Sequence, residues 1–171
     1  LEMAATEEII KIACDVGPEL ATLVPEKRKE LTTEGGISVI DNISLMKETI
    51  QELHKYDIEV SLFIEPDLKQ IDAAAEIESD FIEIHTGVFA NAKSEEEQFD
   101  ELEIIRTAVK HAKKLGLGVN AGHGLDYQNI KIFRELSDID EVSIGHSIIA
   151  RAVFVGLKQA VKEMFELIRK G

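Results

Sequence analysis

Strand-like and helix-like patterns alternate along this chain six times, and that rhythm limits what it can fold into more than any other feature. Short apolar runs at residues 1–4, 20–24, 59–64, 81–85, 117–121 and 141–144 are each followed by a turn or a helix start. Runs of that length bounded by turn signals read as strands, and repeated βα units of this size imply a parallel sheet. Val, Ile and Leu dominate the runs, which predicts strands buried on both faces. The intervening helices are well marked. Ser94-Glu95-Glu96-Glu97 has the capping-box form, and Phe99, Leu102, Ile105, Val109, Ala112 and Leu115 keep helical spacing until Gly116. In the last helix Leu157, Val161, Met164, Phe165 and Ile168 are expected on one stripe. No low-complexity linker divides the chain, so residues 1–171 read as one domain.

Six units fit two architectures. An open doubly wound sheet places ligands at a switch point, whereas a (β/α)8 barrel brings all its strand ends to one mouth. Polar residues gather at the carboxyl ends of nearly every run here: Glu2, Glu26, Glu65, Glu83 with His85, His123 and His146. That even distribution favours the barrel. A closed barrel needs eight strands and typically about 250 residues. The expectation is therefore an α/β TIM barrel of which this chain carries about six βα units.

The most specific chemistry lies in two glycine segments, Asn120-Ala121-Gly122-His123-Gly124 and Ile144-Gly145-His146-Ser147. Each follows a strand-like run, opens into a helical pattern and carries one histidine. Glycine lets the backbone approach a phosphoryl oxygen, and a helix start offers unpaired N–H groups and the positive end of its dipole. A phosphorylated small molecule is the ligand class that this pattern suggests. The net charge of −14 argues against nucleic acid, so such a ligand must be held by local donors. Cys14 is the one cysteine, which excludes an internal disulfide and suits a reducing compartment. No apolar run is long enough to cross a bilayer and no signal peptide is evident, so a cytoplasmic protein is expected.

Alternation within strands singles out acid–base candidates. In Phe81-Ile82-Glu83-Ile84-His85, Glu83 and His85 share one face. If the isoleucines pack on helices, Glu83 points into the barrel, where an unpaired carboxylate is costly unless its pKa is raised. Glu2, between Leu1 and Met3, invites the same argument more weakly. His54 and His111 lie in charge-rich helices and read as surface residues. His85, His123 and His146 lie at strand ends and could bind a metal, but HxH and HExxH spacings are missing, so no metal site is assigned. The stretch from Pro25 to Gly36 exceeds the usual βα loop of about 2–6 residues, and its basic residues and hydroxyls suit a flap over the mouth.

These motifs resemble a known family. Glu2-Met3-Ala4, Leu23-Val24-Pro25-Glu26-Lys27-Arg28, Thr32-Thr33-Glu34-Gly35-Gly36, Val60-Ser61-Leu62-Phe63-Ile64, Phe81-Ile82-Glu83-Ile84-His85-Thr86-Gly87, Asn120-Ala121-Gly122-His123-Gly124-Leu125 and Ile144-Gly145-His146 look like pyridoxine 5′-phosphate synthase, in order along the whole chain. The resemblance implies a cofactor-free (β/α)8 barrel, usually an octamer. It implies a condensation of 1-deoxy-D-xylulose 5-phosphate with 3-amino-2-oxopropyl phosphate. By the same resemblance Glu2 is a proton acceptor, His123 the proton donor and Glu83 a carboxylate that stabilises charge in the transition state. Thr32 would bind the deoxyxylulose phosphate, Gly124 the amino-oxopropyl phosphate, and Gly145 with His146 a phosphoryl group. The family's first two strands, with their Asn, Asp-His and His-Leu-Arg segments, have no counterpart here, so the chain is expected to be the C-terminal six units. Two alternatives stand beside this reading: a metal-dependent barrel hydrolase or lyase using the strand-end histidines, and a non-catalytic phosphate-binding fragment.

Overall fold

The computed structural model describes residues 1–25 and 35–169. Six strands form one parallel sheet: β1 (Glu2–Met3), β2 (Leu20–Leu23), β3 (Glu59–Ile64), β4 (Phe81–His85), β5 (Gly118–Gly122) and β6 (Glu141–Ser143). All six coincide with the apolar runs of the sequence to within a residue or two at their ends. Their order in the sheet is their order in the chain. This decides between the two architectures. Right-handed crossovers that always step in the same direction place every helix on one face, whereas a doubly wound sheet reverses direction and covers both. The uncovered face must curl inward, and the end strands show that it does: Glu2 of β1 and Ser143 of β6 line the same cavity. The sheet is thus a curled part of a TIM barrel.

Between the strands run α1 (Glu7–Val16), α2 (Ile43–His54), α3 (Leu68–Glu76), α4 (Gly87–Ala90), α5 (Glu95–Lys114), α6 (Ile130–Phe133), α7 (His146–Val155) and α8 (Leu157–Arg169). Their starts are specified locally. Asp67 caps α3 by accepting from the N–H groups of Lys69 and Gln70. Ser94 Oγ caps α5 through Glu97 N–H at 3.1 Å, while Glu97 reaches back to Lys93 N–H at 2.8 Å, one residue before the cap.

The strands present two different faces. Toward the helices, Leu62, Ile64, Ile82, Ile84, Val119 and Ala121 join Ile71 and Ala74 of α3 and Leu102, Ile105, Ala108 and Val109 of α5 in one buried core. Each large aliphatic side chain buried there contributes roughly 1.5–3 kcal/mol. Toward the interior, register stacks a polar and aromatic set. Glu2, Thr22, Ser61, Phe81 and Gly118 stand side by side, followed by Phe63, Glu83, Asn120 and Glu141, then His85, Gly122 and Ser143. Period-two alternation therefore sends Glu83 and His85 inward together, as the pattern of β4 predicts.

The helix stripes are only partly covered. Phe99 and Leu115 of the α5 stripe are exposed rather than buried, and only the middle of the stripe faces the sheet. In α8, Met164 and Ala160 are buried, whereas Leu157, Val161 and Phe165 are exposed. Helix α8 packs against α6 and α7, which cover one side of a stripe wider than either contact. His54 and His111 lie at the surface, as the charge-rich helices predict, and their Nε2 atoms lie 2.8 Å from Asp80 and 2.6 Å from Asp72.

Candidate active site

The inner face becomes reactive at the carboxyl end of β4. Glu83 is 3% exposed, its Oε2 accepts a long 3.4 Å hydrogen bond from Ser143 Oγ, and its Oε1 has no partner among the described residues. Burial, reinforced by the negative charge of Glu2, pushes its carboxyl up to about 7, although Ser143 and His85 pull the other way. An acid so placed holds or yields a proton near neutrality, which is the property proton transfer requires. Gly122, its neighbour on β5, leaves the room that the carboxylate occupies: a Cβ there would meet Glu83 Oε1 at 2.2 Å and force it to move.

His85 stands one step further along the same face. Its Nδ1 lies 2.8 Å from Glu65 Oε1, just beyond β3, and its Nε2 is buried without a partner among the described residues. The same Glu65 oxygen accepts Gly36 N–H at 3.0 Å. Burial alone would raise the Glu65 carboxyl, but the hydrogen bonds from His85 and Gly36 outweigh it and hold Glu65 ionised below its usual range.

His123 follows β5 in a left-handed conformation, φ 72°, and Gly124 continues it at φ 82°. Positive φ is unusual for a residue other than glycine and marks a backbone held by its surroundings. The restraints are visible. Thr86 Oγ1 donates to the carbonyls of Gly122 and His123, and Asn129 Nδ2 donates to Gly124 O. The turn lifts the imidazole onto Phe63, centroids 4.4 Å apart, with His85 edge-on at 5.5 Å.

The two glycine segments meet across one cavity of about 660 Å³, lined by Glu2, His123, Gly124, Leu125, Asp126 and residues 143–147. Ser147 Oγ donates to Leu125 O at 3.0 Å and ties the segments together. Gly145 is the N-cap of α7 and offers no side chain to the first turn, where backbone N–H groups lack intrahelical acceptors. A Cβ on Gly145 would meet no atom of the described residues within 4 Å, and its φ of −110° does not demand glycine. Nothing among the described residues therefore accounts for glycine at 145.

Five candidate residues, Glu2, His123, Gly124, Gly145 and His146, are thus gathered on one cavity, with Glu83 linked to its wall through Ser143. Thr32 lies outside the described residues, as do Glu26, Lys27, Arg28 and Thr33 of the long loop. Among the described residues no group of three or more His, Cys, Asp or Glu side chains is placed to hold a metal ion. Nor is any described helix long and apolar enough to cross a membrane.

Sequence reasoning passed over Ser61 and Asn120 as site candidates. Both are buried inner-face residues whose Oγ and Oδ1 lack partners among the described residues. Alternation exposes Ser61 as a polar residue flanked by Val60 and Leu62, and Asn120 follows Val119 in the same way, so the signal was present.

The model of one family, described as Pyridoxal phosphate biosynthesis protein PdxJ, matches residues 1–170. The chain belongs to the PdxJ family. It is 52% identical to the pyridoxine 5′-phosphate synthase of Syntrophobacter fumaroxidans over 98% of its own length and 71% of that protein's. Identity reaches 56% with the synthase of Geobacter sp. strain M21, covering 99% of this chain and 71% of the relative. Together these make it an enzyme of pyridoxine biosynthesis that spans about seven-tenths of its curated relatives' length. The barrel fold extends beyond the PdxJ family. A solved structure described as "Native KDPGal structure" superposes with a TM-score of 0.62 at 13% identity, over 98% of this chain and 68% of the other.

Proposed function

We propose that this PdxJ family member condenses 1-deoxy-D-xylulose 5-phosphate with 3-amino-2-oxopropyl phosphate, yielding pyridoxine 5′-phosphate, inorganic phosphate and water by acid–base catalysis without a cofactor. One observation carries the reading: the buried carboxyl of Glu83 faces the charge of Glu2 inside the sheet and is linked through Ser143 to the cavity that His123 lines.

The condensation joins an amine to a carbonyl, enolises, closes a ring and expels water, so protons must be both removed and supplied. Glu2, more exposed than Glu83, serves as the acceptor. His123 on its constrained turn is the donor to a departing oxygen. Glu83, poised near neutrality, stabilises positive charge when ionised, and its burial beside the more exposed Glu2 gives the two carboxyls different surroundings and different roles. Phosphoryl groups sit on Gly124 and on Gly145 with His146, where backbone N–H groups offset the chain's negative charge. Thr32 contributes to the deoxyxylulose phosphate. The chain works in the cytoplasm as a homo-oligomer.

The test supplies the chain with both phosphorylated substrates and follows inorganic phosphate and pyridoxine 5′-phosphate by mass spectrometry. Product is expected at an undiminished rate in excess chelator, and His123→Asn should lower kcat more than it raises KM. Failure to form product overturns the reading, and loss of activity to the chelator transfers it to the metal-dependent alternative.

A further inference from the structure

Glu65 and His85 belong to neither the proposed proton transfers nor the phosphate contacts, yet they form a polar pair fixed from several sides, with His85 buried and Glu65 half-buried just beyond β3. Glu65 Oε1 accepts from two directions, His85 Nδ1 at 2.8 Å and Gly36 N–H at 3.0 Å. The clamp is close: a Cβ on Gly36 would meet the backbone of Ile64 at 2.4 Å, and Ile37 N–H donates to Phe63 O at 2.7 Å. The segment after the long loop is thus pinned to the end of β3, and the pinned carboxylate holds the imidazole of β4.

What His85 does with that fixed ring is shown by its other contacts. Its side chain is almost wholly buried, and it meets Phe63 edge-on with centroids 5.2 Å apart and His123 edge-on at 5.5 Å. Phe63 packs on His123 at 4.4 Å. Two rings therefore bracket the imidazole of His123, one of them oriented by a carboxylate two strands away from β5. Side chains on two strands, one of them fixed through Glu65 and the 35–37 segment, converge on a residue whose backbone is in a rarely populated conformation. Displacing a proton donor by about 1 Å costs up to about 100-fold in rate, so such bracketing has a kinetic use.

We propose that Glu65 is a positioning residue that locks the ring of His85, and that His85 with Phe63 holds His123 in the orientation from which it delivers its proton. The donation of Nδ1–H to Glu65 fixes the tautomer of His85 and leaves Nε2 as an acceptor on the inner face. The proposal rests on His123 being the proton donor, and the two claims fail separately.

The test uses the full chain labelled with 15N-histidine. In the wild type the His85 Nδ1–H should be a slowly exchanging, downfield-shifted proton. In Glu65→Ala that signal should be lost and the ring resonances of His123 should move. With both phosphorylated substrates, Glu65→Ala should reduce kcat about tenfold with KM changed less than about twofold, whereas Glu65→Gln, which keeps an acceptor, should restore most of the loss. Near-ultraviolet circular dichroism separates these effects from misfolding, and the Gln variant preserves the test if the Ala variant is poorly folded. Unmoved His123 resonances in both Glu65→Ala and His85→Gln would overturn the positioning role. Full turnover in His123→Asn would instead overturn the donor assignment, and the resonance shifts would still report on the bracket.

Discussion

The two ends of the same six strands are built on opposite terms. At the amino end, polar groups are paired twice over by a device that recurs. Asp80, just before β4, donates its N–H to Val60 O, and its Oδ2 accepts from Val60 N–H and lies 2.8 Å from His54 Nε2. Asp140, just before β6, repeats the pattern on Val119 with Lys113 as the basic partner. At the carboxyl end, Glu83 Oε1, His85 Nε2 and Asn120 Oδ1 are buried without partners among the described residues, and Ser61 Oγ, level with the starts of β4 and β5, is the one such group in the layer before them. Leaving such groups unpaired costs about 1–3 kcal/mol each, so the amino end favours stability and the carboxyl end sacrifices it for chemistry. The difference teaches which residues a stability screen and an activity screen should each find.

The largest expected effect tests the carboxyl end. Glu83→Gln keeps the shape of the side chain and should lower turnover about 100-fold or more, because a charge aimed at the transition state is removed. The same change should stabilise the fold at alkaline pH. With its pKa raised to about 7, folded Glu83 keeps its proton while the unfolded chain, titrating at about 4.5, has released it. Stability therefore falls as pH rises from about 4.5 to 7 by an amount on the order of 3 kcal/mol, and Gln removes that loss. Thermal melts from pH 5 to 8 with parallel rate measurements check both signs. A variant that is inactive and also less stable at pH 8 would break the contrast.

Next comes Gly122→Ala. The added Cβ would lie 2.2 Å from Glu83 Oε1 and 3.0 Å from Ser143 Cβ, so Glu83 must move or the strands must part. A stability loss of about 1–3 kcal/mol is expected. Activity should fall further than the loss of folded protein explains, as read by kcat corrected for the folded fraction.

At the amino end the prediction reverses. Asp140→Ala should destabilise by about 1 kcal/mol, since its backbone bond is lost and its ion pair with Lys113 is largely solvated. The carboxyl of Asp140 would be raised by burial, but Lys113 and Val119 N–H hold it below its usual range. Its contribution is thus present above about pH 4 and fades as pH falls through the folded value. Turnover per folded molecule should not change, and denaturant melts at pH 3.5 and 7 read the stability difference.

This contrast also explains what the sequence could reveal. Strand positions and the inward direction of Glu83 were legible because period-two alternation operates within five residues. The one-sided helix layer was legible only as far as strand-end polarity implied it, since strand order is a long-range property. The Glu65–His85 pair was hidden for a related reason: the two residues are 20 positions apart and meet only through the β3–β4 register. Exposure of Phe165 and Leu157 was not legible from their periodicity, because an apolar stripe states that a helix face is available and not how much of it a neighbour covers.

The smallest structural effect with a functional readout is expected at Gly145. A Cβ there meets no atom of the described residues within 4 Å, and the backbone is outside the left-handed region, so Gly145→Ala should change stability by less than about 0.5 kcal/mol. A phosphoryl group resting on the first turn of α7 would occupy the space into which that methyl points, and nearby Asp126 makes the backbone donors all the more necessary. Affinity for a phosphorylated substrate should therefore drop about tenfold, while the unphosphorylated analogue, lacking the contact, loses little. Isothermal titration with both ligands separates the outcomes. Equal losses would mean that the turn has been distorted, and unchanged affinity for the phosphorylated ligand would move the anion away from the start of α7.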